Sequence, residues 1–153
     1  MKFEISVVSN TPMVGEEDID IVARSFLEQI GYLTKGSDPD IPLKIFLGCF
    51  LARPDRPWLV EEIAVELDTS HPTIYRHLNK LKSMDLLEEV KIEQEVKGKG
   101  KKKVKQIKKG YKIRYGNISK AWTFVEAHMD VAIENYRKTV DHLQKLNEKR
   151  KKK

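Results

Sequence analysis

At 153 residues, with 34% charged and 40% hydrophobic side chains, the chain is long enough for one folded domain with a real core and an appended helix. Its single cysteine, Cys49, excludes an internal disulfide and any multi-cysteine zinc site. No apolar run approaches the roughly 20 residues that span a bilayer, and Met1–Val8 alternates charge with apolar residues instead of forming a signal peptide, so a cytoplasmic location is expected. The net charge of +6 is unevenly placed: residues 97–109 carry eight lysines and no acid, and residues 149–153 are five basic residues. Subtracting these thirteen charges leaves −7, an acidic body with two basic appendages. A solvated loop and a disordered tail are the plain reading. An arm oriented toward phosphate is the functional one.

In chain order, Lys2–Val7 alternates with period two and predicts a short strand. After the break at Asn10-Thr11-Pro12, Glu16–Ile30 reads as a helix with Ile19, Val22, Ala23, Phe26, Leu27 and Ile30 on one face. Its first turn holds Glu16, Glu17 and Asp18, as the helix dipole prefers, and Gly31 stops it. Asp40 is the expected cap of a helix over Ile41–Ala52, which is apolar nearly all round and therefore central to the core. Cys49 within it reads as a small buried hydrophobe rather than a redox sensor. Arg53–Pro57 is a stiff turn, and Trp58 is placed to form a short strand.

Leu59–Leu67 then gives a short helix with Val60, Ile63, Ala64 and Leu67 on one face, and Asp68-Thr69 is a polar turn. Ser70–Leu87 follows as a second helix, with Ser70 as N-cap, Pro72 in the first turn and Ile74, Leu78 and Leu81 facing inward. Asp85, where the chain must leave the helix, tolerates a left-handed conformation. Two helices joined by a short polar turn make the helix-turn-helix plan, whose second helix enters the DNA major groove. The run S-H-P-T-I-Y-R-H-L-x-x-L-x-x-x-x-L-L resembles the recognition helix of prokaryotic ArsR-type winged-helix regulators, close to S-x-P-T-V-S-R-H-L-x-x-L-x-x-x-G-L, and MarR-type relatives share the plan. Ser70, Pro72, Thr73, Arg76, His77, Leu78, Leu81 and Leu86 match that pattern. Tyr75 stands in place of a small residue and Asp85 in place of glycine. The resemblance covers the middle third of the chain.

Beyond Leu87 the period changes to two. Leu86, Val90, Ile92 and Val96 fall on one face and Glu89, Lys91, Glu93 and Glu95 on the other; Tyr111, Ile113 and Tyr115 alternate with Lys112 and Arg114. Gly98 and Gly100 lie near the midpoint, predicting a long β-hairpin, a wing, with lysines on its outer half. Arms of about ten residues at ~3.3 Å each reach roughly 33 Å. The lysine-rich tip is expected to be mobile without DNA.

Gly116–Ser119 ends the hairpin and caps a final helix over about 120–147. Trp122, Val125, Met129, Ala132, Tyr136, Val140 and Leu143 step along it by three or four residues, a coiled-coil-like stripe expected to join two copies. The resemblance points the same way, since ArsR- and MarR-like proteins dimerise through terminal helices. Residues 1–36 are then a strand and helix on the core or dimer interface, 37–116 a winged helix-turn-helix domain, and 117–153 a dimerisation helix with a basic tail. The expected fold class is mainly α with a small β-hairpin wing (α+β).

Double-stranded DNA and a second copy of the chain are the expected partners, with no membrane and no cofactor. Lys97, Lys99, Lys101, Lys102, Lys103 and Lys105 would neutralise phosphates. Arg76 is the candidate for a bidentate guanine contact, His71, Thr73, Tyr75 and Asn79 for base edges, and Lys80 for base or phosphate. No metal site is expected: the resembled family's sensors use a cysteine pair or a D-x-H-x10-H-x-x-E/H set, and His128 and His142 are spaced differently. No catalytic constellation is present either. The leading expectation is a sequence-specific homodimeric regulator, a repressor, with the effector unknown. Its rivals are an architectural binder driven by the wing and tail, and a winged-helix protein-interaction module.

Overall fold

The computed structural model describes residues 2–98, 100 and 103–151. Helix α1 runs Ile19–Gln29, later and shorter than expected, because Asp18 is the N-cap and its carboxylate accepts the Asp20 N–H at 2.9 Å. Helix α2 starts at Asp40–Leu43 and continues π-wound through Lys44–Leu51, where the Ala52 N–H reaches back five residues to the Leu47 carbonyl. Asp40 is its first residue rather than its cap; Asp38 supplies the capping carboxylate, accepting the Asp40 N–H at 3.0 Å. The wider winding keeps Ile45, Phe46, Cys49 and Phe50 together in the core.

Strand β1 is only Trp58–Leu59, and α3 (Val60–Leu67) follows directly. Glu62 secures that junction by accepting the Leu59 N–H at 2.9 Å. Asp68 takes the left-handed conformation (φ 47°) and turns the chain into α4, His71–Ser83. Ser70 holds the N-cap position, yet its hydroxyl bonds the Thr73 hydroxyl at 2.9 Å and not a backbone N–H. The second helix therefore ends four residues before Leu87. Asp85 is left-handed (φ 64°), which accounts for glycine being usual in the resembled pattern.

The wing is a single antiparallel pair, β2 (Leu87–Lys97) with β3 (Lys103–Ile113), in register from Leu87↔Ile113 to Lys97↔Lys103. β1 adds to its base through Trp58↔Tyr111 and Leu59↔Gly110, giving the sheet order β1-β3-β2. Gly110 allows close packing there, since a Cβ would lie 2.5 Å from Ile92 Cδ1 and 3.0 Å from Pro57 Cβ, and these neighbours would have to shift. Helix α5 (Ile118–Lys151) is capped by Asn117, whose side-chain oxygen accepts the Lys120 N–H at 3.0 Å.

The expected N-terminal strand does not form. Residues 2–7 are extended, with Phe3 and Ile5 half-buried against the core and Lys2 and Glu4 exposed, but their partners are two helix ends. The Glu4 N–H donates to the Ser83 carbonyl at 3.0 Å and the Ser6 N–H to the Ile30 carbonyl at 2.9 Å. Gly31 (φ 89°) permits the second contact, because a Cβ there would lie 2.7 Å from Ser6 Oγ. One apolar cluster joins α1, α2, α3, α4, the wing base and the start of α5. At its edge Asp85 ties three elements: its carbonyl accepts Arg114 Nε–H at 2.9 Å and its carboxylate lies 2.6 Å from His128 Nδ1, on whose ring Phe3 stacks. No helix among the described residues is long and apolar enough to cross a membrane.

Candidate nucleic-acid interface

Helix α4 is held by Ile74, Leu78 and Leu81, each fully buried, which fixes what its other sides present. Three directions result. His71, Tyr75, Arg76 and Asn79 are exposed and form a row down the outside of the helix. Lys82 turns toward the wing and pairs with Glu89 of β2. Thr73, His77 and Lys80 turn the other way, half-buried against the chain between α1 and α2. The candidate base readers therefore separate: His71, Tyr75 and Asn79 point outward, Thr73 and Lys80 line a flanking cleft, and the exposed Arg76 borders both.

Burial and charge follow that geometry. The His77 imidazole is pushed below its ordinary proton affinity by burial, with Arg76 and Lys80 adding to the effect. The Lys82 hydrogen bond holds the Glu89 carboxyl below its usual range. Burial raises the Tyr111 phenol, helped by the nearby Glu89 and Tyr75. The Lys82–Glu89 pair ties one side of α4 to the wing base, so the helix adjoins one face of the hairpin.

The register decides which face that is. Cross-strand partners share a face, and the pairing is symmetric about Gly100, so odd-numbered positions lie together. Going outward from Glu89 and Tyr111, this face carries Lys91 with Lys109, Glu93 with Ile107, Glu95 with Lys105, and Lys97 with Lys103. The opposite face carries Val90, Ile92, Gln94 and Val96 against Gly110, Lys108, Gln106 and Val104. Lys91 and Lys109 were not among the expected phosphate contacts, although centring the hairpin on Gly100 would have found them. Three glutamates share the lysine face, and the exposed Lys103–Glu95 pair at 3.7 Å contributes little. Lys97, Lys103 and Lys105 are exposed near the tip. Lys99, Lys101 and Lys102 lie outside the described residues.

The wing base is braced on both faces, by Lys82–Glu89 to α4 and by Lys108–Glu61 to α3, the latter at 2.5 Å.

The α5 stripe divides. Val125 is fully buried in the chain's own core, and Trp122 and Met129 pack against that core, with Phe26 edge-on to Trp122 at 5.4 Å. Ala132 is half-buried. Tyr136 (71%), Val140 (51%) and Leu143 (63%) remain exposed, as does Leu146 (49%). Cys49 is 1% exposed, and burial pushes its thiol up to about 11, so it stays protonated and unreactive.

Residues 41–90 match the family profile described as "Helix-turn-helix domain", which spans α2, α3, α4 and the start of β2. No curated protein matches the chain. A solved structure described as "Possible transcriptional regulator from Methanosarcina mazei Go1" is similar at 20% identity over 86% of this chain and 98% of that one, with a TM-score of 0.39. The domain match coincides with the two helices whose geometry is given above.

Proposed function

We propose, starting from residues 41–90 as a helix-turn-helix DNA-binding domain, that the chain is a sequence-specific transcriptional repressor acting as a homodimer on a pseudo-palindromic site. The observation that carries the reading is the exposed row His71, Tyr75, Arg76 and Asn79 on a helix whose opposite side is locked into the core. A reader of base edges needs short, fixed polar groups at the groove floor, and this row provides them. Arg76 has the fork geometry for guanine, and Asn79, one turn on, is suited to adenine. The lysines of the wing face then hold phosphates alongside, supplying affinity without sequence information.

The exposed Tyr136, Val140 and Leu143 support the dimer. A helix of 34 residues, about 51 Å long, leaves its outer half uncovered by its own domain. A second copy packing along that stripe would have to set two α4 helices about 34–36 Å apart, the spacing of successive major grooves, to bind a two-half site. A second reading, an architectural DNA binder, draws its support from the exposed lysines at the wing tip.

The deciding test is binding to DNA upstream of the protein's own gene against a scrambled duplex of equal length, over a salt series, with sedimentation of the free protein alongside. The expected result is a dimer with discrimination of ~10³-fold or more and a footprint of two symmetric halves. Equal affinity for both duplexes, falling steeply with salt, would replace the repressor with the architectural protein.

A further inference from the structure

The flank of α4 turned away from the wing closes a cavity of about 350 Å³ with the chain between α1 and α2. That volume is at the small end of ligand sites, which begin near ~300 Å³. Thr73, Arg76, His77 and Lys80 line it from α4, and Tyr32 and Asp38 from the connecting segment. Leu33, Ile41 and Pro42 give it an apolar wall.

Its charges are unlike those of the wing base. There Lys82, Lys108 and Lys112 are each matched to a glutamate. Arg76 and Lys80 have no carboxylate within ion-pair distance among the described residues. Asp38 also faces the cavity, but one of its oxygens is engaged by the Asp40 N–H. Lys80 Nζ instead sits 6.0 Å over the Tyr32 ring, whose edge-on neighbour at 5.9 Å is His77. The Tyr32 hydroxyl is buried and has no hydrogen-bond partner among the described residues. A buried donor left unpaired is costly.

We propose that this cavity binds a small organic phosphate, with the phosphate held by Lys80, Arg76 and the Thr73 hydroxyl and the organic body against Leu33, Ile41 and Pro42. A phosphate monoester is favoured over a carboxylate because two cations and an imidazole converge there, and a dianion matches that set once His77 takes a proton. His77 is neighboured by Arg76 and Lys80 on its own helix and by the edge-on Tyr32 ring, and Asp38 of the connecting segment lines the same cavity. The two neighbouring cations that disfavour its proton are the ones an anion would neutralise. Ligand binding therefore draws a proton onto His77. Because Arg76 also belongs to the outward row, an occupied cavity withdraws it from DNA, and this consequence rests on the function proposed above.

The test uses the full chain without DNA, with phenyl phosphate as probe and inorganic phosphate and phenol as comparisons. Calorimetry should give saturable binding of phenyl phosphate at least tenfold tighter than either comparison. Lys80→Ala should weaken it tenfold or more, and Lys145→Ala, on the exposed face of α5, should leave it unchanged. By NMR the His77 ring should titrate at higher pH with the probe bound. No saturable binding, equal binding of inorganic phosphate, or an equal loss in both variants would overturn the site. A competition arm adds the probe to the protein–DNA complex, where affinity for DNA should fall tenfold at a probe concentration ten times its dissociation constant. A chain that takes phenyl phosphate but never binds DNA would defeat the repressor reading and leave the cavity assignment standing.

Discussion

Helix α4 and the outer wing both present cationic groups to solvent, but they are built on opposite terms. α4 sinks three fully buried aliphatic side chains into the core, so its exposed residues stand at fixed positions. Beyond Glu93 none of the described side chains of the wing is buried: Val96, Val104 and Ile107 are 41%, 52% and 62% exposed, and the hairpin is held by its own ladder. A rigid surface can discriminate, because a misplaced base leaves its polar groups unpaired. A projecting arm can only attract, because lysine on a phosphate carries no sequence information. Under the proposed function, specificity and affinity would belong to separate elements of one chain, and each could be perturbed without the other.

The largest effect should come from loosening the rigid member. Leu78→Ala removes a fully buried side chain at the centre of α4 and should cost about 2–5 kcal/mol of stability in chemical denaturation, while also blurring sequence discrimination. Arg76→Ala, which touches nothing in the core, should leave stability unchanged and cost about 1–3 kcal/mol of binding at one base pair. A loss spread evenly over all sequences would move Arg76 to the phosphate-binding class. The smallest effect per residue belongs to the arm. Replacing Lys103 and Lys105 by Gln should lower the slope of log affinity against log salt by about 0.9 for each phosphate no longer neutralised, with the preferred sequence unchanged. If the preference shifts instead, the outer wing reads bases and the division fails.

Much of this is legible in the residues. The inward set Ile74, Leu78 and Leu81 follows from helical spacing alone, and the left-handed turn at Asp85 from the need to leave the helix there. The hairpin pairing Leu87–Lys97 with Lys103–Ile113 is legible from alternation and turn chemistry, and the strand at Trp58 from the plan of winged domains. What escapes is anything set by distant partners. Lys2–Val7 alternates as a strand does, but alternation reports which side is buried and not what lies alongside, and here that is the carbonyl ends of two helices. Ser70 has the right residue type for a cap, and a neighbouring hydroxyl wins its hydrogen bond. Tyr32 gives no signal, since its role depends on the return of α4 alongside a loop some forty residues earlier. The stripe on α5 is continuous in spacing and so reads as one surface. The fold uses its first turns for the core, at Ala121 and Val125, and leaves only the remainder for a partner.

The strict pairing of the wing restricts how its length can vary. Removing one pair of facing residues below the tip would turn every side chain beyond the cut, presenting Val96 and Val104 where Glu95 and Lys105 now stand. Removing two pairs preserves the faces and draws the tip in by about 7 Å, close to the rise of two base pairs. The lysine face of the hairpin is thus preserved only when its length changes in steps of two pairs.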